Sequence, residues 1–416
     1  MNIQNQISNF TKFLSIAVLS SSVFTYGCSK FGGESLLNQC KLSYKEKNYQ
    51  EAFDLCEKSA GKNNAEAQVL LGLMYYNGEG VERDRYEAFR LYKKAAEQGY
   101  AEAEYRLGEM CSNADDVDRI NIFEEVPFKN YEEAFKWYKR AAEQGYVDAQ
   151  YKVGYLYLNR RELERDSKEA LKWFKKAAEQ GDIESQAVLS DLYYEGDVIK
   201  QNYQEAFKWN KKLSELGYSI AEFQVGEMYA NGKGVKQDYV KAIEWYQKAA
   251  EQENDFALLN LANMYYNGEG VKQDYKEAIK FFRLLAEKDY SRYVSLPYAQ
   301  FKVGEMYYHG KGVKQDYKEA FKWFTKEGDP RRSDSQFYLG EMYSSGKGVN
   351  HDYFKAIEWY KKASDQGYAE AQYKLGYMYL NGQGVRQDKV LAKEYFGQAC
   401  DNKYQKGCDL YKDLNK

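Results

Sequence analysis

Glycines and lysines recur in this 416-residue chain in a pattern that can bind phosphate. In NGKGVKQDY, residues 231–239, a Gly-x-Gly turn is followed by lysines and then by a predicted helix. Backbone N–H groups of such a turn, together with a helix N-terminus, can cradle a phosphate. However, six complete copies occur at matching positions, so the simpler role of each is to supply a positive φ and end a helix. The copies are Gly78/Gly80, Gly232/Gly234, Gly268/Gly270, Gly310/Gly312, Gly346/Gly348 and Gly382/Gly384.

Two Ser-x-x-Lys sequences, at residues 59–62 and 344–347, are the next candidates for chemistry. They match the motif in which a serine attacks an acyl group, but the companion sequences Lys-Thr-Gly and Ser-Asp-Asn are absent. The only histidines, His309 and His351, lie in predicted turns, so no general base or metal triad is evident. The sequence therefore predicts no catalytic residue, no metal site and no cofactor.

A repeat of 36 residues organises the chain. An alanine recurs in the phrases EAF and KAI with a spacing of 36 residues, interrupted once by 46 and once by 42. Fixed self-similarity at this period is typical of helical repeat arrays. We therefore predict an all-α solenoid of about ten helix-turn-helix repeats. The anchor residues are Ala52, Ala88, Ala134, Ala170, Ala206, Ala242, Ala278, Ala320, Ala356 and Ala392.

Each repeat contains two predicted helices, A and B, with the glycine turn between them. An Asp or Asn after the turn caps helix B, and a capping box is predicted for Asp274 with Glu277. A glycine recurs in the middle of helix A although it costs about 1 kcal/mol relative to alanine. We expect this glycine to mark a close approach of the helices, with paired alanines of helix B as the matching small residues. Six tryptophans that share one position in helix B are predicted to lie in or near the core: Trp137, Trp173, Trp209, Trp245, Trp323 and Trp359.

The N-terminus and the overall charge limit the partners. Residues 1–27 are predicted to be a signal peptide, because their apolar run is too short to span a bilayer. Cleavage after Gly27 leaves Cys28 either lipidated or at the start of a freely exported chain. A short tether, 28–35, then precedes the repeat region, 36–416.

The formal charge of -3 provides no basic excess for binding nucleic acid. A membrane is expected to be contacted only through a lipid on Cys28.

The repeated pattern Gly-x-Met-Tyr-x-x-Gly-x-Gly-Val…Asp-x-x-x-Ala…Trp-Tyr-x-x-Ala-Ala-Glu-Gln-Gly resembles the Sel-one-like repeat family, which is related to the tetratricopeptide repeats. The resemblance covers roughly Ala65 to Leu410. It implies a right-handed superhelix of antiparallel helix pairs with helix A lining a concave surface. Family members are typically adaptors that assemble protein complexes, often in secretion or in the cell envelope.

Five cysteines follow Cys28. Cys40 and Cys56 lie eight residues on either side of a predicted hairpin turn at Asn48, so antiparallel helices would bring them together in a disulfide. Cys400 and Cys408 match the spacing of the bridge in the secreted bacterial cysteine-rich members of the same family, and this resemblance implies a second disulfide. Here only the last repeat carries that pair. Cys111 replaces a tyrosine of the repeat and is predicted to be a free, mostly buried thiol.

The period fails at two insertions, near residues 112–130 and 288–298. The first is acidic and carries Phe123 and Phe128, so it is either a docking loop for a basic partner or a packed surface loop. The second brings three tyrosines together with Pro297 and is expected to bend the array.

Aromatic and acidic residues also recur at two positions of helix A. A row of aromatic and acidic side chains on one helix face, here called the predicted file, could line a peptide-binding groove. The same row could equally consist of framework residues that pack the helices together. The aromatic candidates for partner binding are Tyr105, Tyr151, Tyr155, Phe301, Phe337, Tyr373 and Tyr377, and the acidic residues beside them are Glu109, Glu227, Glu305 and Glu341.

The function predicted from these features is that of an exported envelope adaptor that binds a protein or peptide partner on the concave face. The chain would be lipid-anchored, periplasmic or secreted. The alternative is a β-lactam-binding or β-lactamase-like hydrolase, an activity associated with the cysteine-rich relatives. No serine motif of the usual kind supports that alternative.

Overall fold

A computed structural model describes residues 35–112, 130–159, 166–288, 295–326 and 332–414. Within these ranges the chain is all-helical, with 21 helices and no strand. We number the helices in chain order, so that odd numbers are A helices and even numbers are B helices. They are α1 Leu36–Lys45, α2 Tyr49–Ala60, α3 Ala65–Asn77, α4 Arg85–Glu97, α5 Ala101–Ser112, α6 Tyr131–Glu143, α7 Val147–Asn159, α8 Ser167–Glu179, α9 Ile183–Glu195, α10 Tyr203–Glu215, α11 Ser219–Asn231, α12 Tyr239–Glu251, α13 Asp255–Asn267, α14 Tyr275–Ala286, α15 Ser295–His309, α16 Tyr317–Phe324, α17 Ser333–Ser345, α18 Tyr353–Asp365, α19 Ala369–Asn381, α20 Lys389–Asp401 and α21 Gln405–Asp413.

The helices form ten A–B pairs and a last A helix, which is the paired helix-turn-helix arrangement predicted from the period. Each A helix except the last packs most extensively on the B helix that follows it. The chain divides into two compact units, residues 1–144 and 145–416. None of the described helices is both long enough and apolar enough to cross a membrane.

The glycine turns end the A helices as predicted. Gly232 has a φ of 67° and Gly234 a φ of 73°, conformations that only glycine adopts at little cost. The turn's backbone donors are used within the fold, since Lys233 N donates to the Met228 carbonyl at 2.9 Å. A Cβ on Gly234 would lie 2.2 Å from the Tyr203 carbonyl oxygen, so this residue also allows the preceding B helix to approach. These turns are packed junctions, which leaves the phosphate-loop alternative without support.

All the described B helices except α2 begin at a side-chain cap. The Asp274 carboxylate accepts hydrogen bonds from the backbone N–H groups of Lys276 at 2.8 Å and Glu277 at 3.2 Å. The Glu277 carboxylate pairs with Lys280, three residues further along the helix. A glutamine or arginine before the cap also donates to the last turn of helix A, as Gln237 Nε2 does to the Ala230 carbonyl at 2.8 Å. This second link was not predicted from the sequence.

The mid-helix glycines of the A helices face large rings. A Cβ on Gly226 would lie 2.6 Å from the Tyr246 ring, and one on Gly376 would lie 2.7 Å from the Phe396 ring. The close approach was therefore predicted correctly, but the expected partner was wrong. The paired alanines are mostly buried elsewhere in the core, and the atoms nearest each glycine belong to a Tyr or Phe of helix B.

Helix α16 differs from the other B helices because it ends at Phe324 after eight residues. In this repeat Glu-Gly-Asp, residues 327–329, stands where four other repeats have Ala-Ala-Glu, and Pro330 follows it. Pro330 cannot continue a helix, and this departure was not used in the sequence analysis.

Disulfides join the cysteines at both ends of the array. Cys40 on α1 is bonded to Cys56 on α2, with their Cα atoms 5.1 Å apart. Cys400 on α20 is bonded to Cys408 on α21, with a Cα separation of 4.5 Å. Cys111 is a free, fully buried thiol whose pKa is raised to about 12 by burial.

Several predictions fall outside the described residues. These are the signal peptide and Cys28, most of the first insertion with Phe123 and Phe128, and residues 289–294 of the second insertion.

Candidate binding face on the A helices

One repeat position of the A helices holds aromatic residues that pack on the B helix of the same repeat. Tyr105, Tyr151 and Phe301 are buried, and each ring contacts a B-helix ring with centroids 5.6 to 6.1 Å apart. Phe337 and Tyr373 are half-buried and make the same contact at 5.9 and 5.7 Å. These five residues are therefore part of the framework, and only the last two leave surface accessible.

Two tyrosines four positions further on are the exposed members of the predicted file. Tyr155 is 38% exposed and Tyr377 is 45% exposed. The Tyr155 ring lies 6.2 Å from Tyr151, and the Tyr377 ring lies 6.5 Å from Tyr373, stacked on it. Each exposed ring thus packs against a framework ring of the same helix. This contact restricts the exposed ring before binding, so little side-chain entropy is lost when a partner binds.

Glutamates occupy the same position in other repeats and link neighbouring A helices. Glu227 accepts hydrogen bonds from the Tyr246 hydroxyl at 2.6 Å and from Asn260 Nδ2 at 2.7 Å. Glu341 pairs with Lys374 of the next A helix at 2.8 Å. Their carboxylates are therefore fixed in position on this face.

In most helix pairs a side-chain hydrogen bond joins the residue that ends helix B to a glutamine or glutamate in helix A. We call this bond the side-chain clamp, and it was not predicted from the sequence. Gln98 Nε2 donates to Gln68 Oε1 at 2.8 Å, and Gln180 makes the same bond to Gln150. In α5 the clamp involves the buried Glu104, which accepts from Gln144 at 2.7 Å and pairs with Arg140 at 2.9 Å. Burial raises the pKa of Glu104 despite these partners. The sequence signal that could have indicated this clamp is the recurrence of two glutamines spaced 30 residues apart, as in Gln68 and Gln98.

The six tryptophans of the B helices are covered by basic side chains. Lys248 Nζ lies 4.0 Å from the centroid of the Trp245 ring, three residues earlier, and the other five tryptophans have the same contact at 4.2 to 4.9 Å. A lysine or arginine side chain covers one face of each tryptophan ring, so the six tryptophans do not form an open aromatic cage for a ligand.

The two Ser-x-x-Lys sequences do not form a nucleophile site. Ser59 is buried. The Ser344 hydroxyl donates to the Glu341 carbonyl at 3.1 Å, and Lys347 Nζ lies over the rings of Tyr308 and Tyr317. Across the described part of the chain, no three His, Cys, Asp or Glu side chains are grouped so as to hold a metal ion.

The family model for the Sel1 repeat matches most of the chain. Two of the eleven matched segments, 101–124 and 126–146, cover the two helices of the pair that contains the first insertion, so they represent one repeat. The matched segments are residues 41–64, 65–100, 101–124, 126–146, 147–182, 183–218, 219–254, 255–290, 297–326, 333–368 and 369–404.

Two solved structures resemble this chain over most of its length. One is c5321, a protective antigen present in uropathogenic Escherichia coli strains that displays an SLR fold. It is 31% identical, the match covers 83% of this chain and 79% of that one, and the TM-score is 0.63. The other is a Sel1 repeat protein from Oxalobacter formigenes, 29% identical, with 78% and 89% of the two chains covered and a TM-score of 0.58. A comparison with curated protein sequences found no match.

Proposed function

The chain belongs to the Sel1 repeat family, and on this premise we propose that it is a non-catalytic scaffold that binds a protein or peptide partner along its A helices. Repeats of this family form scaffolds that typically mediate protein–protein interaction. The observation that carries the proposal is the pair of exposed rings, Tyr155 and Tyr377, each supported by a buried or half-buried ring of the same helix.

The B helices are the weaker candidate for the binding face. Their tryptophans are already covered by lysine or arginine side chains, so a partner would have to displace these cations before reaching the tryptophan rings. The exposed aromatic residues of the B helices, such as Phe354, lie at the helix starts. On the A helices, exposed aromatic rings and carboxylates held by neighbouring side chains occupy the same repeat position, which gives a preorganised mixture of apolar and charged groups.

We further propose that the chain is exported to a bacterial envelope, where it is anchored through a lipid on Cys28, free in the periplasm or secreted. The two disulfides support this location, because disulfides persist in oxidising compartments and are rare in the cytosol. The predicted signal peptide, residues 1–27, supports it from the sequence.

Hydrolysis of β-lactams is not proposed. The matched family is typically non-enzymatic, and the Ser344 hydroxyl is hydrogen-bonded within the last turn of α17, while Lys347 lies over tyrosine rings.

Site-specific photo-crosslinking in the source cells tests the binding face. A benzophenone amino acid replaces Tyr155 or Tyr377 on the A helices, and in matched controls it replaces Val240 or Phe354, which are exposed second residues of B helices. We expect a discrete cross-linked protein at the A-helix positions only. Cross-linking at the B-helix positions with none at Tyr155 and Tyr377 would overturn the proposed face.

A further inference from the structure

Two consecutive A helices expose apolar side chains where other repeats carry acids. The second residue is Ile220 in α11 and Phe256 in α13, and these side chains are 43% and 61% exposed. Six other A helices have a carboxylate at this position. The acidic residues are Glu66, Glu102, Asp148, Glu184, Asp334 and Glu370.

These two residues belong to a larger apolar patch, which we define as Leu216, Ile220, Phe223 and Phe256. Leu216 precedes Ile220 across the turn between α10 and α11 and is 61% exposed, where most other repeats have glutamine or asparagine. The Phe223 ring lies 5.6 Å from Phe256 and 5.7 Å from the buried Tyr246. One edge of Phe256 is therefore supported by the framework, and the rest of its ring faces solvent.

The surroundings of the patch are acidic. The segments 213–231 and 249–267, which form the turns and A helices that carry it, contain no lysine or arginine, and neither does the preceding segment 177–195. All three contain several Asp and Glu residues, among them Glu215, Glu227 and Glu251.

The lysines that flank these segments are already engaged. Lys212 and Lys248 lie over tryptophan rings of the B helices, at 4.5 and 4.0 Å from the ring centroids. Lys288 pairs with Asp255 at 2.7 Å and with Glu253 at 3.8 Å. Lys211 pairs with Glu215 at 3.1 Å, so Glu215 and Asp255 are compensated. The other carboxylates of these segments, among them Glu227 and Glu251, keep the charge next to the patch negative.

We propose that the apolar patch binds an amphipathic segment of a partner protein in which apolar side chains are flanked by lysine or arginine. Apolar contact supplies the affinity, and the surrounding carboxylates select a basic segment over an acidic one. This inference rests on the proposed function and specifies the chemistry of the partner and the repeats that bind it.

Peptide binding to the full chain tests the inference. The probe is a fluorescein-labelled synthetic peptide of about 18 residues whose leucines and lysines form an amphipathic helix, and its counterpart has glutamate at every lysine position. Fluorescence anisotropy gives the Kd of each. We expect saturable binding of the basic peptide and binding at least about tenfold weaker for the acidic one.

Paired variants separate apolar recognition from charge attraction. Ile220→Glu with Phe256→Glu restores the acidic residue of the other repeats, and Val240→Glu with Phe354→Glu adds the same charge to the second residues of two B helices. The first pair is expected to raise the Kd for the basic peptide about tenfold, although its added charge alone would lower it. The control pair is expected not to raise it, and Phe256→Ser removes the ring without adding charge as a further check.

The inference is overturned if the basic peptide does not bind, if the acidic peptide binds equally well, or if Ile220→Glu with Phe256→Glu binds the basic peptide as tightly as the unaltered chain. Any of these results leaves the proposed function intact when photo-crosslinking at Tyr155 or Tyr377 still captures a partner. Cross-links confined to Val240 and Phe354 would refute the proposed function itself, whatever the peptides do.

Discussion

Gln186 on α9 shows what a single residue contributes to a repeat. Its side chain is buried, and its Oε1 atom has no hydrogen-bond donor among the described residues. At the equivalent place in other repeats, a glutamine or asparagine at the end of helix B donates to this oxygen. Here that residue is Leu216, which has no donor. An unsatisfied buried oxygen costs about 1–3 kcal/mol, a cost that the repeats with a donor at this place avoid.

Leu216→Gln is expected to stabilise the protein by about 1 kcal/mol, because the new carboxamide can donate to Gln186 Oε1 as Gln180 does to Gln150. The backbone is already suitable, since Leu216 and Gln180 have nearly the same φ, -87° and -85°. The measurement is the urea midpoint under fixed conditions.

Leu216→Glu is the matched control for this prediction. It also removes the exposed leucine and has the same chain length, but its carboxylate has no hydrogen to donate. Equal urea midpoints for the glutamine and glutamate variants would show that the missing donor is not what limits this repeat.

At the scale of the helix pair, the fit between the glycine of helix A and the ring of helix B determines how closely the helices pack. The pair is Gly226 with Tyr246 in one repeat, whereas the preceding repeat has Ser190 and Asn210 at the same two places, all but fully buried. A larger residue on helix A is thus accompanied by a smaller one on helix B in that repeat. In the following repeat, however, the same two places hold Ala262 and Phe282, both fully buried, so a methyl group is accommodated there beside a ring.

Gly226→Ala is expected to destabilise the protein by about 1–3 kcal/mol, because the new methyl group would lie 2.6 Å from the Tyr246 ring. This cost exceeds the gain of about 1 kcal/mol from the higher helix propensity of alanine. Thermal and urea denaturation of the variant measure the difference.

A double-mutant cycle with Tyr246→Asn provides the control. Once the ring is removed, Gly226→Ala should become much less destabilising or neutral, since the propensity gain is then opposed only by the 3.2 Å approach of the methyl group to the Ala242 carbonyl oxygen. If alanine is equally destabilising with and without the Tyr246 ring, steric contact between these positions is not the cause.

The helix pairs were predictable from the sequence because the 36-residue period, the glycine turns and the Asp caps depend on local backbone chemistry. The side chain that each mid-helix glycine contacts was not predictable. A period shows which residues are equivalent between repeats, but it does not show which side chain of the next helix each of them faces. For the same reason Tyr105, Tyr151 and Phe301 were placed among the candidate binding residues, although they are buried against helix B. The shortened α16 was missed because its repeat keeps the 36-residue spacing from Ala320 to Ala356, although residues 325–330 depart from the repeat pattern.

At the scale of the whole chain, the repeats are not equivalent as surfaces. Fixed packing positions recur in nearly every pair, whereas exposed positions of the A helices change from carboxylate to apolar at Ile220 and Phe256. Packing requirements therefore account for the periodic residues, and the departures from the period are where specific recognition is expected. Partner binding on this side of the helix pairs is the central claim about the protein.

The measurement that tests this claim most directly is the affinity of the cross-linked partner, once purified, for two double variants of the chain. Tyr155→Glu with Tyr377→Glu alters the A helices, and Val240→Glu with Phe354→Glu makes the same change in charge on the B helices. We predict a Kd at least about tenfold higher for the first variant and an unchanged Kd for the second, with unaltered helical content in both. An unchanged Kd for the A-helix variant, with weakened binding by the B-helix variant, would contradict the account.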